Sequence, residues 1–337
     1  MRTIGKHECG KTIGLALGLA LAVFSTPVLS QTAPSTPLDD SDDLVVTLLG
    51  TGTPELVASR FGNATLVQAG GLNLLFDAGR GASLRLEQMG VSLGKIDCIF
   101  ITHFHSDHVN GLSDVWMTGY LPPIGARKTP LQVYGPTGTE HLTKGLMNAH
   151  AEDMAIRQAD EHVPQEGTQI EAHEFDKDGT VFDQKGVKVT AFAVNHGPLI
   201  KPSYGYRVDY KGHSVTLSSD TKYDPNVIKY GTGVDLLVHE VAIAPKQIEN
   251  LPIIQRVMDH HTNAEDAGRV FAQAKPKLAV YYHIVRLRQP GVERVGIEEI
   301  VKRTRTTYDG PLVIGEDLMQ FVIGRAISIV PFYSSRN

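Results

Sequence analysis

Cysteine is nearly missing from this chain: among 337 residues there are two, Cys9 and Cys98. Cys9 lies in an amino-terminal segment read below as cleaved, so the mature chain keeps one thiol and forms no internal disulfide. A folded domain of about 290 residues must then hold together through the size of its core. Cys98 sits among Ile96, Ile99 and Phe100 and reads as an inert core residue. No apolar run approaches the ~20 residues that a bilayer-crossing helix needs, which excludes a protein built on such helices. An excess of basic charge is also lacking: 32 Lys and Arg face 37 Asp and Glu, a formal charge of −5. A chain of that sign does not gather polyphosphates by its bulk field.

What is present begins with the first thirty residues. Arg2, Lys6 and Lys11 precede the run "IGLALGLALAVF", and Val28 and Ser30 follow at the spacing of a cleavage site. This is a secretory signal pattern, predicted to span residues 1–30. Losing Arg2, Lys6, Lys11 and Glu8 removes a net +2 and leaves a mature charge of −7. Residues 31–43, "QTAPSTPLDDSDD", lack apolar periodicity and read as a flexible leader. The folded domain is expected over 44–337, in the periplasm or secreted, with no membrane contact after cleavage.

From Leu44 strand follows strand, "LVVTLLG", "ATLVQAG", "LNLLFDAG" and "IDCIFITH", with a helix between the last two. A second block, "VKVTAFAVNHG", "YGYRVDY", "HSVTLSSDT", "VDLLVHEVAI" and "LAVYYHI", follows a helical and acidic stretch. Two packed sheets covered by outer helices, an α/β (α+β) arrangement, satisfy this pattern. The acidic stretch, Ala151 to Gly179, is expected to be a solvated face or lid.

One segment stands apart. "THFHSDHVNGL" places three histidines and an aspartate within six residues where a strand runs into a loop. Buried imidazoles each need a polar partner, and a shared metal supplies it. His103 and His105 alternate along extended chain and project to one side. Asp107 and His108 follow after the chain turns and face a second point. Imidazole and carboxylate donors, about four to an ion, suit zinc. Further candidates end strand-like runs: His196, Asp220 and His283.

These residues carry a resemblance. "HFHSDH" matches the H-x-H-x-D-H motif of the metallo-β-lactamase superfamily, and the matching ligand order extends from "LLGTGTP" to His283. Within it the chain most resembles the ribonuclease Z branch and the related exported type III arylsulfatases, in "LLFDAGRG", "YGYR", "SSDT", "HEV" and the step from "HHT" to "YYHI". The resemblance implies a four-layer αββα sandwich with two zinc ions at the sheet edge. Carried over, His103, His105 and His196 would hold one ion and Asp107, His108 and His283 the other, with Asp220 bridging. His261 would protonate the leaving group, Glu240 would stand beside it, and Asp107 would also orient the attacking group. His260 is expected to support the site, and His239 either to support it or to pack in the core. A homodimer is the branch's tendency.

The carboxylate at Asp220 argues against lactam hydrolysis and for phosphate- or sulfate-ester cleavage. Export and acidity together favour small esters, so the expectation is an arylsulfatase acting on a small-molecule ester, with no nucleic acid as partner. A phosphodiesterase of ribonuclease Z type is the alternative. Arg286 and Arg288 are candidates to grip substrate oxyanions, and Trp116 and Tyr120 either to wall the mouth of the site or to pack in the core.

Overall fold

Each strand's burial tells which layers cover it, and the first is apolar on both faces: all of β1 (Leu44–Gly50) is buried. The computed structural model describes residues 43–332. The expected signal segment and nearly all of the leader lie outside the described residues, which fall within one compact unit. β2 (Ala64–Ala69), β3 (Leu72–Phe76), β4 (Cys98–Phe100), β5 (Leu131–Pro136) and β6 (Ile170–Phe175) continue the first sheet. The second contains β7 (Gly179–Gln184), β8 (Val187–Ala193), β9 (Tyr204–Tyr210), β10 (His213–Leu217), β11 (Leu236–Ile243), β12 (Leu278–Arg286) and β13 (Leu312–Ile314). The chain then returns to the first sheet as β14 (Met319–Ile323) and β15 (Ile327–Val330), giving the orders β15-β14-β1-β2-β3-β4-β5-β6 and β13-β12-β11-β10-β9-β8-β7.

The helices are α1 (Ala82–Gln88), α2 (Ser106–Val109), α3 (Leu112–Tyr120), α4 (Thr139–Ala149), α5 (Ala151–Asp160), α6 (Pro225–Gly231), α7 (Pro252–Met258), α8 (Ala264–Ala274) and α9 (Ile297–Thr304). Three apolar clusters make the layers. Val46, Leu74, Phe100, Tyr206, Val238 and Val280 meet between the sheets. Leu86 and Trp116 from α1 and α3 pack on the outside of the first sheet, and Phe271 and Ile300 from α8 and α9 on the outside of the second. This is the expected αββα sandwich, and it explains why β11 and β12 read as unbroken apolar runs: both their faces are covered.

In the first sheet β3 to β6 run parallel, and in the second β10 to β13 do. The loops after β4, β10 and β12 therefore issue from parallel-strand ends, the usual place for a site in such sheets.

Of the two readings of Trp116 and Tyr120, packing holds, and they do not wall a mouth. Both are buried on α3 in the outer layer, where Trp116 Nε1 donates to Thr168 O and Tyr120 OH to Asp153, because α3 turns its apolar stripe onto the sheet. The acidic stretch is a solvated face rather than a lid: it forms α5, none of whose residues is buried, a short 3-10 turn at Gln165–Thr168 and the edge strand β6, whose hydrogen bonds to β5 fix it in the sheet. Cys98 is buried as expected, and burial pushes its thiol up to about 12.

Candidate metal centre

Loop geometry brings seven donors together. His103, His105, His196 and Asp220 form one group and Asp107, His108 and His283 another, with donor atoms in each group within 4.8 Å of one another. His103 Nε2 and His196 Nε2 approach His105 Nδ1 to 3.0 and 3.2 Å. A tetrahedral ion with 2.0–2.1 Å bonds sets its donors about 3.3 Å apart. Asp220 Oδ2 lies 3.3 Å from His283 Nε2, 3.4 Å from His108 Nε2, 3.7 Å from His196 Nε2 and 3.9 Å from His103 Nε2, so one carboxylate reaches both groups.

Backbone strain aims two of these elements. Pairing of β11 with β12 slips after Glu240–Tyr282, so that Val241 meets Ile284 and His283 is the extra residue of a bulge, at φ 41. A bulge redirects a side chain out of the alternating pattern, and non-glycine residues at positive φ gather where a site requires them. Ser219, just before Asp220, has φ 60, and its N–H donates to Tyr282 Oη at 2.9 Å. The loops are also tied to each other: Asp224 caps α6 through Asn226 N and accepts from Asn195 N, one residue before His196.

The donors are prepared for a cation. Burial, the largest influence, lowers His103 and His105 and brings His196 down to about 3, so these imidazoles are neutral at ordinary pH. Burial would raise Asp220 and Asp107, but His283 and His108 outweigh it and hold both below the usual carboxylate range. His108 goes the other way: burial lowers it, yet Asp220, Asp77 and Asp107 outweigh burial and hold it well above its ordinary value. Three buried carboxylates around one imidazole call for positive charge, from a proton or a metal. Asp107 Oδ1, Asp220 Oδ1 and His108 Nε2 are buried with no hydrogen-bond partner. Unpaired polar atoms of that kind, converging from two loops, fit a metal well.

Outer partners fix the rings. His196 Nδ1 meets His260 O at 2.8 Å and His103 Nδ1 meets Thr102 Oγ1 at 3.0 Å. The residue missed in the sequence is Asp77, fully buried, at φ 57. It accepts from His108 Nδ1 at 2.6 Å, Thr102 N and Thr102 Oγ1 at 2.9 Å, and Asn63 Nδ2 at 3.0 Å. Its signal was a lone acid at the end of "LNLLF", which reads just as well as a turn before Gly79. Asp77→Asn is expected to weaken metal affinity by about 10–100-fold, measured by chelator competition, because the ring of His108 loses its anionic acceptor.

His261 Nδ1 lies 3.2 Å from Glu240 Oε1, which also accepts from Thr262 N at 2.8 Å. His261 falls within the same reach of Asp220 and His283. His260 is half-buried, and its carbonyl steadies His196. His239 is a core histidine: fully buried, its Nδ1 2.6 Å from Glu240 O and its ring edge-on to Phe271. Arg286 Nε donates to Val295 O, and Arg288 pairs with Glu55 at 2.6 Å.

Comparison with known proteins decides the family. Ribonuclease Z of Mycobacterium marinum is 34% identical over 278 residues, covering 81% of this chain and 96% of that protein. The chain belongs to the ribonuclease Z branch of the metallo-β-lactamase superfamily. The family described as anti-Pycsar protein Apyc1 also matches, over residues 44–251, more than half of the chain, which is a member of that family too. Ribonuclease Z of Mycolicibacterium gilvum is 32% identical over 288 residues, 85% of this chain and 98% of that one. Among solved structures, the metallo-β-lactamase fold protein YhfI of Bacillus subtilis superposes with a TM-score of 0.65 at 19% identity, over 84% of this chain and all of that one. The short form of human tRNase Z gives 0.61 at 22% identity, over 83% and 98%. Both share the fold.

This branch is that of metal-dependent hydrolases, and the chain is one. The arylsulfatase expectation does not stand, and neither does the exclusion of nucleic acid: the relatives of this chain are named for ribonuclease activity. The exclusion rested on expected export together with acidity, and net charge sums over the whole surface, whereas a polyanion responds to the field around the site it enters.

Proposed function

We propose that the protein is a phosphodiesterase of ribonuclease Z type that cleaves RNA with two zinc ions. The observation that carries this reading is the shared carboxylate, Asp220, in reach of both donor groups, beside a histidine–glutamate pair, His261 and Glu240. His103, His105 and His196 would hold one ion, Asp107, His108 and His283 the other. Bound zinc supplies a water acidified towards neutral pH and draws charge from the phosphoryl oxygens.

The chain's own residues do the rest. Asp107, with Oδ1 buried and unpartnered, is placed to accept a hydrogen bond from the attacking water and so orient it. Burial lowers His261, but Glu240, Asp220 and Asp107 outweigh it and raise its pKa above the ordinary 6.5. It is thus held as the acid that protonates the departing ribose oxygen, with Glu240 fixing the ring. The amino-terminal segment supports export, so the RNA is one met outside the cytoplasm.

The test is hydrolysis of a short RNA, bis(4-nitrophenyl) phosphate and 4-nitrophenyl sulfate by the purified, metal-analysed protein. Expected are two zinc ions per chain, chelator-sensitive cleavage of the RNA and the diester, and a kcat/KM on the sulfate at least about a hundredfold lower. No RNA cleavage by the fully metallated protein would overturn the proposal.

A further inference from the structure

Four arginines, Arg60, Arg80, Arg288 and Arg294, gather on one side of the metal loops of this acidic chain, where Glu55 answers two of them and Asp317 lies beside Arg60. Between Thr51 and Gly62 a loop crosses the rim. It is pinned at one end by Ile284 N to Thr51 O, 3.1 Å, next to His283, and at the other by Gly62 N to Arg80 O, also 3.1 Å. Ala78, two residues before Arg80, donates to His108 O at 2.8 Å. Two residues span at most about 7 Å, so the Arg80 backbone lies within that distance of Ala78 and close to the metal loop.

A cavity of about 310 Å³ opens there, lined by Glu55, Leu56, Val57, Arg60, Phe61 and Arg80. Its volume is that of a small-ligand pocket. Leu56 is 75% exposed, so its side chain is open to an incoming apolar group. The Arg80 side chain makes no hydrogen bond or ion pair among the described residues. Glu55 is the counter-ion of two others: Arg294 Nη2 reaches both its oxygens at 2.6 and 2.5 Å, and Arg288 Nη2 reaches Oε1 at 2.6 Å. Two guanidinium groups thus share one carboxylate at the edge of an apolar hollow whose lining includes a third, that of Arg80. Arg60 is spoken for, by Thr51 Oγ1 and Gly315 O.

We propose that this cavity is a second substrate subsite, which takes the nucleotide next to the scissile bond: the base against Leu56, Val57 and Phe61, its phosphate on Arg80 and on Arg288 and Arg294. The inference rests on the RNA-cleaving reading and names what it recognises, a phosphate one nucleotide away. Arginine forks match phosphate oxygens, and an incoming phosphate replaces Glu55 as their anion. Glu55 in the meantime holds the two forks apart from loose anions, so the subsite favours a ligand that also fills the apolar hollow.

The experiment compares diadenylate with its 5′-phosphorylated and 3′-phosphorylated forms on the full metallated chain. One phosphorylated form is expected to have a kcat/KM on the order of tenfold or more above the plain dinucleotide, the worth of a charge-assisted hydrogen bond. Arg288→Ala, at an exposed residue bonded to Glu55, and Arg80→Ala should each pull that ratio towards one. Glu55→Gln should raise it, an opposite sign that loss of structure does not produce; thermal melting checks that all three variants fold. Equal rates on all three dinucleotides, or a ratio that the arginine variants leave alone, would sink the subsite while the diesterase reading survives. If none of the three is cleaved, the RNA-cleaving reading is what fails. The subsite is then judged by calorimetric binding of the same dinucleotides, where a phosphate-dependent affinity lost in Arg80→Ala upholds it and equal affinities overturn it.

Discussion

Asp220→Ala is expected to remove metal and activity together, with hydrolysis falling on the order of a thousandfold or more, beyond the 10–100-fold typical of an outer partner. Oδ2 of this residue stands 3.3 to 3.9 Å from four imidazoles belonging to both donor groups, so its loss opens both at once. It also leaves His108 and His283 with one carboxylate fewer in a buried cluster. Metal analysis reads the first effect directly, and melting reads it independently. Added zinc should raise the melting temperature of the unaltered protein through binding to the folded state, and should do so much less in the variant. A variant that kept two zinc ions and full rate would show that Asp220 is neither ligand nor bridge. Asp220→Asn keeps the volume and removes the charge; a similar loss there would assign the effect to the carboxylate rather than to a cavity.

The layers and the donors were legible in the sequence for different reasons. β11 and β12 announce themselves as unbroken apolar runs because helices cover one face and the partner sheet the other. The histidine cluster is legible because local sequence holds four donors on one loop, and His196 and Asp220 because each closely follows a strand, whereas His283 lies inside β12. What the sequence hides is aim. Nothing in "YYHIV" shows that His283 is the extra residue of a bulge, since that depends on its register against β11. Asp77 is hidden because its partners, Asn63, Thr102 and His108, are 14, 25 and 31 residues away. Trp116 and Tyr120 misled because a helix starting beside a site can still turn its apolar stripe away from it. Net charge misled in a similar way, because it sums over the whole surface, whereas Arg80 lies far along the chain from Arg288 and Arg294 and yet lines the same hollow as their partner Glu55.

His261→Ala is the sharper test of chemistry, because it should separate rate from metal. The ring is held by Glu240 rather than by outer partners of the donor groups, so the variant is expected to retain both ions by metal analysis while kcat on RNA falls about 10²–10⁴-fold, the range of a lost general acid. The size should depend on the leaving group. A ribose oxygen needs a proton as it departs, whereas 4-nitrophenolate does not, so bis(4-nitrophenyl) phosphate should lose far less than RNA. The pH profile gives a further sign. His261 acts protonated, and its pKa is raised above 6.5, so RNA cleavage by the unaltered protein should be sustained below that raised value and fall as the pH rises through it. The variant should lack this alkaline limb. Equal losses on both substrates, with the limb intact, would move the proton donor elsewhere and leave His261 with a ligand's role beside Asp220 and His283.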